Sequence, residues 1–148
     1  MSGIINSAGS KSGVIGQTEL DYEEGTWSPL WTGLGGGPTT PSNATGSGTY
    51  TKIGRTVHIN FYLGNRDTSG ASGDMAVTGQ PFACNGGTDF GNFMCYNTSF
   101  DSSYITTLRM NASSITFTES RNNATWTWLD ISAGSSRYMY GSATYTIT

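Results

Sequence analysis

The clearest pattern along the chain is the alternation in "RTVHINFYLG" (Arg55 to Gly64). Val57, Ile59, Phe61 and Leu63 fall on one side, and Thr56, His58, Asn60 and Tyr62 on the other. A period of two belongs to a strand, because successive side chains point to opposite faces of a sheet. One face is then core, and the other meets water or another chain. Just upstream, "GTYTKI" predicts a partner strand, the two meeting at Ile53-Gly54. "RDTSGASGD" turns the chain, and "MAVTGQPF" predicts a short strand ended by Gly79 and Pro81. "GNFMCYN", "SYITTLRM", "SSITFTE", "ATWTWLDI" and the closing "YMYGSATYTIT" (Tyr138 to Thr148) predict further strands.

Two stretches break the regularity. "TWSPLW" (Thr26 to Trp31) predicts a strand that Pro29 confines to an edge or a bulge, since proline donates no ladder hydrogen bond. "GLGGGPTTPSNATGSG" (Gly33 to Gly48) predicts a long irregular loop, mobile at its glycines. No segment sustains a helical period. Short strands at this spacing, with turn residues between them, predict an all-β fold, an antiparallel β-sandwich or jelly-roll-like domain.

The first residues follow no such pattern. "MSGIINSAGSKSGVIG" sets two apolar pairs, Ile4 with Ile5 and Val14 with Ile15, among Gly, Ser and Asn. It has no apolar run long enough for a secretory signal and no face that could build a core. "ELDYEE" follows, with Glu19, Asp21, Glu23 and Glu24; this acidic cluster reads as a solvated linker, and without His or Cys it makes a poor metal site. The expected organisation is a flexible N-terminal arm and acidic linker over residues 1–24 and a β-domain over 25–148.

Composition narrows the class. Charged residues are only 11% of the 148, while aromatics reach 12%; a disordered chain has the opposite balance. A net charge of -3 gives no general attraction to nucleic acid. No run approaches the roughly 20 apolar residues of a membrane span. A soluble all-β protein with no nucleic-acid or membrane partner is expected. The two cysteines, Cys84 and Cys95, could meet across a hairpin, but free buried thiols are favoured.

Candidate chemistry is sparse. His58, the single histidine, sits mid-strand and reads as a surface or interface residue. There is no "GxSxG" elbow, no Cys/His metal spacing, and no Lys behind "GLGGGP" for a phosphate loop. The acids lie mostly in the linker or in turns (Asp67, Asp74, Asp89), poorly placed for a catalytic carboxylate pair. No enzyme activity, cofactor or metal is expected. The sequons at Asn43, Asn97, Asn111 and Asn123 read as chance in a chain so rich in Asn, Ser and Thr. "TWTW" puts Trp126 and Trp128 on one strand face; core or subunit interface is the favoured reading, and a sugar-stacking platform the other.

"SGIINSAGSKSGVIG", "ELDYEEGTWSP", "GTYTKIGRTVHINF" and "VTGQPF", in that order, resemble virion structural proteins of tailed bacteriophages: tail-fibre tips, head fibres and capsid decoration proteins. Those relatives typically carry "GTWTP", "G-x-Y-T-K-I-G-x-x-V" and "I-T-G-L-P-F". This chain departs at Ser28, where Thr is usual, and at Gln80, where Leu is usual. The resemblance covers the chain in outline, with its dense motifs in the first half. It implies a β-rich, usually trimeric module without catalysis, displayed on the virion.

Ile4, Ile5, Val14 and Ile15 then become an arm that orders on a neighbouring subunit. With one β-domain and no shaft expected, a homotrimeric cement protein on the major capsid protein is the leading expectation. A tail- or head-fibre knob that binds host-surface carbohydrate, held by a tail or baseplate protein, is the alternative.

Overall fold

The computed structural model describes residues 21–87, 89–99 and 104–148. The arm residues Ile4, Ile5, Val14 and Ile15 lie outside the described residues. Among the described residues ten strands run in chain order: β1 (Tyr22–Trp27), β2 (Leu30–Gly33), β3 (Ser47–Ile53), β4 (Thr56–Arg66), β5 (Met75–Thr78), β6 (Phe90–Tyr96), β7 (Ile105–Met110), β8 (Ser114–Ser120), β9 (Thr127–Trp128) and β10 (Arg137–Thr146). One four-residue helix, α1 (Pro41–Ala44), interrupts them between β2 and β3.

All the strands join one antiparallel sheet in the order β1-β3-β4-β10-β6-β7-β8-β5-β2, with β9 alongside β8. The ends of that order are β1 and β2, yet only Ser28 and Pro29 separate them in the chain. A flat sheet of nine strands would hold its edges tens of ångströms apart at about 4.8 Å per strand. The sheet must therefore curl, and it forms a half-barrel around one core. The "TWSPLW" segment is thus two strands. Pro29 sits where the chain leaves one edge for the other, and its carbonyl accepts from the Gly46 amide at 2.8 Å.

The core lies inside the curl. Val57, Ile59, Phe61 and Leu63 are buried as the alternation predicts, while Thr56, His58, Asn60 and Tyr62 are exposed. They join Trp27, Trp31, Leu108, Ile115, Phe117 and Met139 in a single apolar cluster. One inner row across four strands alternates aromatics with glycines: Gly48 opposite Phe61, Phe61 opposite Gly141, Gly141 opposite Phe93. The glycines make room for rings. A Cβ on Gly141 would stand 2.1 Å from the Phe61 ring, and one on Gly48 would stand 2.2 Å from the Trp27 indole. Trp27 and Phe61 meet edge to face, with centroids 5.8 Å apart.

Three expectations need correction. The acidic stretch is no solvated linker after Asp21, because Tyr22, Glu23 and Glu24 belong to β1 and pair with β3. Tyr50 Oη donates to Glu23 at 2.6 Å, Tyr22 Oη donates to Glu24 at 2.7 Å, and Lys52 meets Asp21 at 2.6 Å. The pairing with β3 and the contacts from Tyr50 and Lys52 make this stretch an edge of the sheet, so the ordered domain reaches back past the boundary drawn at residue 24.

The Gly33–Gly48 stretch is not loose either. Its glycine backbone is zipped to residues 69–74, with Leu34 N donating to Asp74 O, Gly35 N to Ser72 O and Thr39 N to Ser69 O, all at 2.8–2.9 Å. A Cβ on Gly33 would lie 2.1 Å from the Ser72 carbonyl oxygen, so only glycine allows that approach. Finally, "ATWTWLDI" contributes only the two-residue β9. Here β5 already pairs with the first half of β8, at Ser114 to Thr116, and leaves β9 only Thr118 and Glu119.

Two of the Asn positions in sequons, Asn97 and Asn123, carry positive φ values of 60° and 54°. Asparagine tolerates that left-handed region better than other non-glycine residues. Turn geometry accounts for these two residues without any glycan.

Both cysteines are free; Cys84 is buried and Cys95 partly so. Burial pushes the Cys95 thiol from 9.0 up to about 12 and the Tyr145 hydroxyl from 10.0 up to about 12. Both groups stay neutral in the fold and ionise sooner when unfolded. Stability is therefore expected to hold up to about pH 9 and to fall as pH rises from there through about 12. Urea midpoints measured from pH 7 to pH 12 check this, with near-neutral thiol reagents leaving native Cys95 unmodified.

Candidate functional site

The outer face of the half-barrel carries two features, and both are built by register. Residues directly opposite on antiparallel strands project to the same side. One row crosses five strands as Thr26, Thr49, Asn60, Ser142 and Asn92, all short and uncharged. The next row runs Ser47, Tyr62, Tyr140 and Met94. Tyr62 and Tyr140 stack with centroids 4.7 Å apart, and a groove of about 870 Å³ runs along these rows. Beyond it the exposed aromatic surface continues, with Tyr138 opposite Tyr96 and their rings 5.7 Å apart. Met94 is 64% exposed and Tyr96 71%.

His58 borders this face. Its Nδ1 lies 2.9 Å from Thr144 Oγ1, and its Nε2 lies 3.2 Å from Asn60 Nδ2. With the amide as donor, Nε2 accepts and Nδ1 donates to the hydroxyl. These partners are polar neighbours on a sheet surface, in keeping with the surface residue expected from the sequence. Among the described residues, no group of three His, Cys, Asp or Glu side chains is placed to hold a metal ion. No described helix is long and apolar enough to cross a membrane.

The second feature holds Trp126 and Trp128. The structure brings the two indoles together with centroids 5.0 Å apart and planes at 85°, so they do not form a flat platform. They are 46% and 37% exposed in the single chain, which removes the core half of the core-or-subunit-interface reading and leaves the interface half open. The reason lies in the register with β8, where Trp128 stands opposite Thr118 and so projects to the outer face. Thr116 and Thr118 on that face are buried beneath neighbours, while Ile115 and Phe117 fill the inner face.

Against the indoles stands a residue of β7 that the sequence reading missed, Arg109. Its guanidinium carbon stands 5.5 Å from the centroid of the Trp126 ring and 5.2 Å from that of Trp128. A pocket of about 420 Å³ opens beside it, lined in part by Phe90, Thr107, Thr118 and Ser120. One clue was present: "ITTLRM" alternates, placing Ile105, Thr107 and Arg109 on one face in a chain with seven Lys and Arg in all. What could not be read was that long-range pairing brings "TWTW" next to this face.

Because the indoles are exposed, replacing both by Ala should cost at most about 1–2 kcal/mol, against about 3–5 kcal/mol for each buried tryptophan. Urea unfolding of the double variant measures the difference, and a loss above about 5 kcal/mol would return the pair to the core.

In comparisons with protein families and with curated proteins, nothing matches this chain.

Proposed function

We propose that this protein is a non-enzymatic structural subunit of a tailed-phage virion. In this reading it is a capsid cement, or decoration, protein with a jelly-roll-like body. It assembles as a homotrimer and docks on the major capsid protein through its N-terminal arm. The observation that carries the reading is the uncharged, aromatic outer face of Tyr62, Tyr140, Met94, Tyr138 and Tyr96. Surfaces rich in Tyr and Met and poor in charge are those that proteins bury against one another. Closed symmetry also covers sheet edges such as β1 and β2 with the next copy. The sequence resemblance supports the same assignment.

The test is a particle lacking this protein. On the cement reading such particles lose their genome at lower temperature but still adsorb to cells, since a component that prefers the assembled shell stabilises it by linkage. Protein lacking residues 1–16 loses none of the described contacts, so it should stay folded yet fail to load. Ordering an arm costs roughly 1–2 kcal/mol per residue, and only partner contacts offset that. Full loading of the truncated protein would assign docking to the β-domain.

A second reading, a fibre knob that binds host-surface carbohydrate, is favoured by one observation, the exposure of Trp126 and Trp128. It predicts the reverse phenotype: heat-stable particles that fail to adsorb, and free protein that competes with phage for the cell surface.

A further inference from the structure

The geometry points to a binding site for an acidic saccharide at Arg109, with the sugar ring against Trp126 and a carboxylate on the guanidinium. This assignment deepens the carbohydrate reading and rests on the tryptophan pair facing a ligand rather than another subunit.

Three observations converge on it. The first is the state of the cation. Arg109 Nε donates to the Gly87 carbonyl at 3.1 Å, and the described residues place no hydrogen-bond acceptor on the Nη1/Nη2 edge of the fork. Among the described residues Arg109, like Arg55, Arg66 and Arg137 and unlike Lys52 and Arg121, has no carboxylate within 4 Å. A guanidinium offers five N–H donors, and its terminal pair fits a carboxylate in two parallel hydrogen bonds.

The second is preorganisation. Both indoles contact the guanidinium from one side, their centroids 5.5 and 5.2 Å from it and 5.0 Å from each other, and the Gly87 backbone, at φ +70°, passes so close that a Cβ there would stand 2.8 Å from Nη2. A side chain held in this way loses little freedom when a ligand arrives.

The third is the chemistry of the pocket wall. Trp126 and the 55% exposed Phe90 offer apolar rings, while Thr107, Thr118 and Ser120 contribute hydroxyls. Apolar faces beside hydroxyl hydrogen-bonding groups suit a pyranose, which has both. An unpaired cation selects the sugar that bears an anion. A purely apolar partner would leave Arg109 desolvated without compensation, at a cost to binding.

The test is titration of full-length protein with galacturonic acid oligomers, read by tryptophan fluorescence and by calorimetry. Neutral galactose oligomers and the methyl-esterified uronic oligomers serve as controls. The expected result is saturable binding of the acid that weakens with added salt. The neutral and esterified forms should bind about 10- to 100-fold more weakly, as loss of a charge-assisted pair implies. Arg109→Gln should remove that preference while leaving the circular dichroism spectrum unchanged, and Trp126→Ala should weaken every saccharide.

Equal binding of acid and neutral oligomers would overturn the role of Arg109 and leave the carbohydrate reading standing. Binding of none of them, with Trp126→Ala dissociating the oligomer, would overturn both and make the pair a subunit contact. The esterified ligand tests the same charge on the unaltered protein, so the outcome does not depend on whether the Arg109 variant folds.

Discussion

Phe61→Ala is expected to destabilise the protein by about 3–5 kcal/mol, the usual cost of removing a buried aromatic ring. Phe61 is 4% exposed and lies between two glycines, with Gly48 and Gly141 opposite it on either side. The surroundings cannot collapse into the space, because strands fix the backbone of both neighbours. Gly141→Ala is the complementary change. Its Cβ would fall 2.1 Å from the Phe61 ring, and the ring cannot swing away because Trp27 packs against it. Overpacking of this kind costs about 1–3 kcal/mol. The two changes should not add. With the ring removed, the new methyl group occupies vacated space, so the double variant should be at least as stable as Phe61→Ala alone. Urea denaturation of the four proteins in the cycle gives the coupling. Simple additivity would mean that the glycine is not there to seat the ring.

If the protein assembles as the trimer proposed above, Met94→Glu is expected to convert it into monomers at micromolar concentration, with little effect on the fold of each chain. Met94 stands opposite Tyr140 on the outer face and is 64% exposed in the single chain, so a carboxylate there remains hydrated in the monomer. In an assembly that covers this face the same carboxylate would be buried without a partner. An uncompensated charge of that kind costs about 3–5 kcal/mol per site, and a closed trimer would carry three. Sedimentation velocity of both proteins checks this, with urea midpoints confirming that the monomer's stability changes by less than about 1 kcal/mol. A wild-type protein that sediments as a monomer would remove the trimer. A variant that remains trimeric would move the interface away from Met94.

Local sequence determined a good deal about this protein. The period-two runs set which residues of β4 point inward, because a sheet offers only two faces and a slip of one residue would bury Asn60 and expose Phe61. The turn at Gly54, with φ 57°, and the absence of any long helical period follow from the same local chemistry. What the tertiary structure decided is everything that depends on residues far apart in the chain. The acidic stretch became a strand edge only because Tyr50 and Lys52 arrived beside it, roughly thirty residues later. The Gly33–Gly36 ribbon became ordered only because residues 69–74 run against it. Trp126 and Trp128 came to the surface because the inner face of β8 was already filled by Ile115 and Phe117. Arg109 became part of a site only when β9 paired alongside β8 and put Trp128 in register with Thr118 on the outer face. A local pattern records which face a side chain takes, since that is set by its own backbone. Which partner covers that face is set by long-range pairing, and that is where the candidate sites of this protein arise.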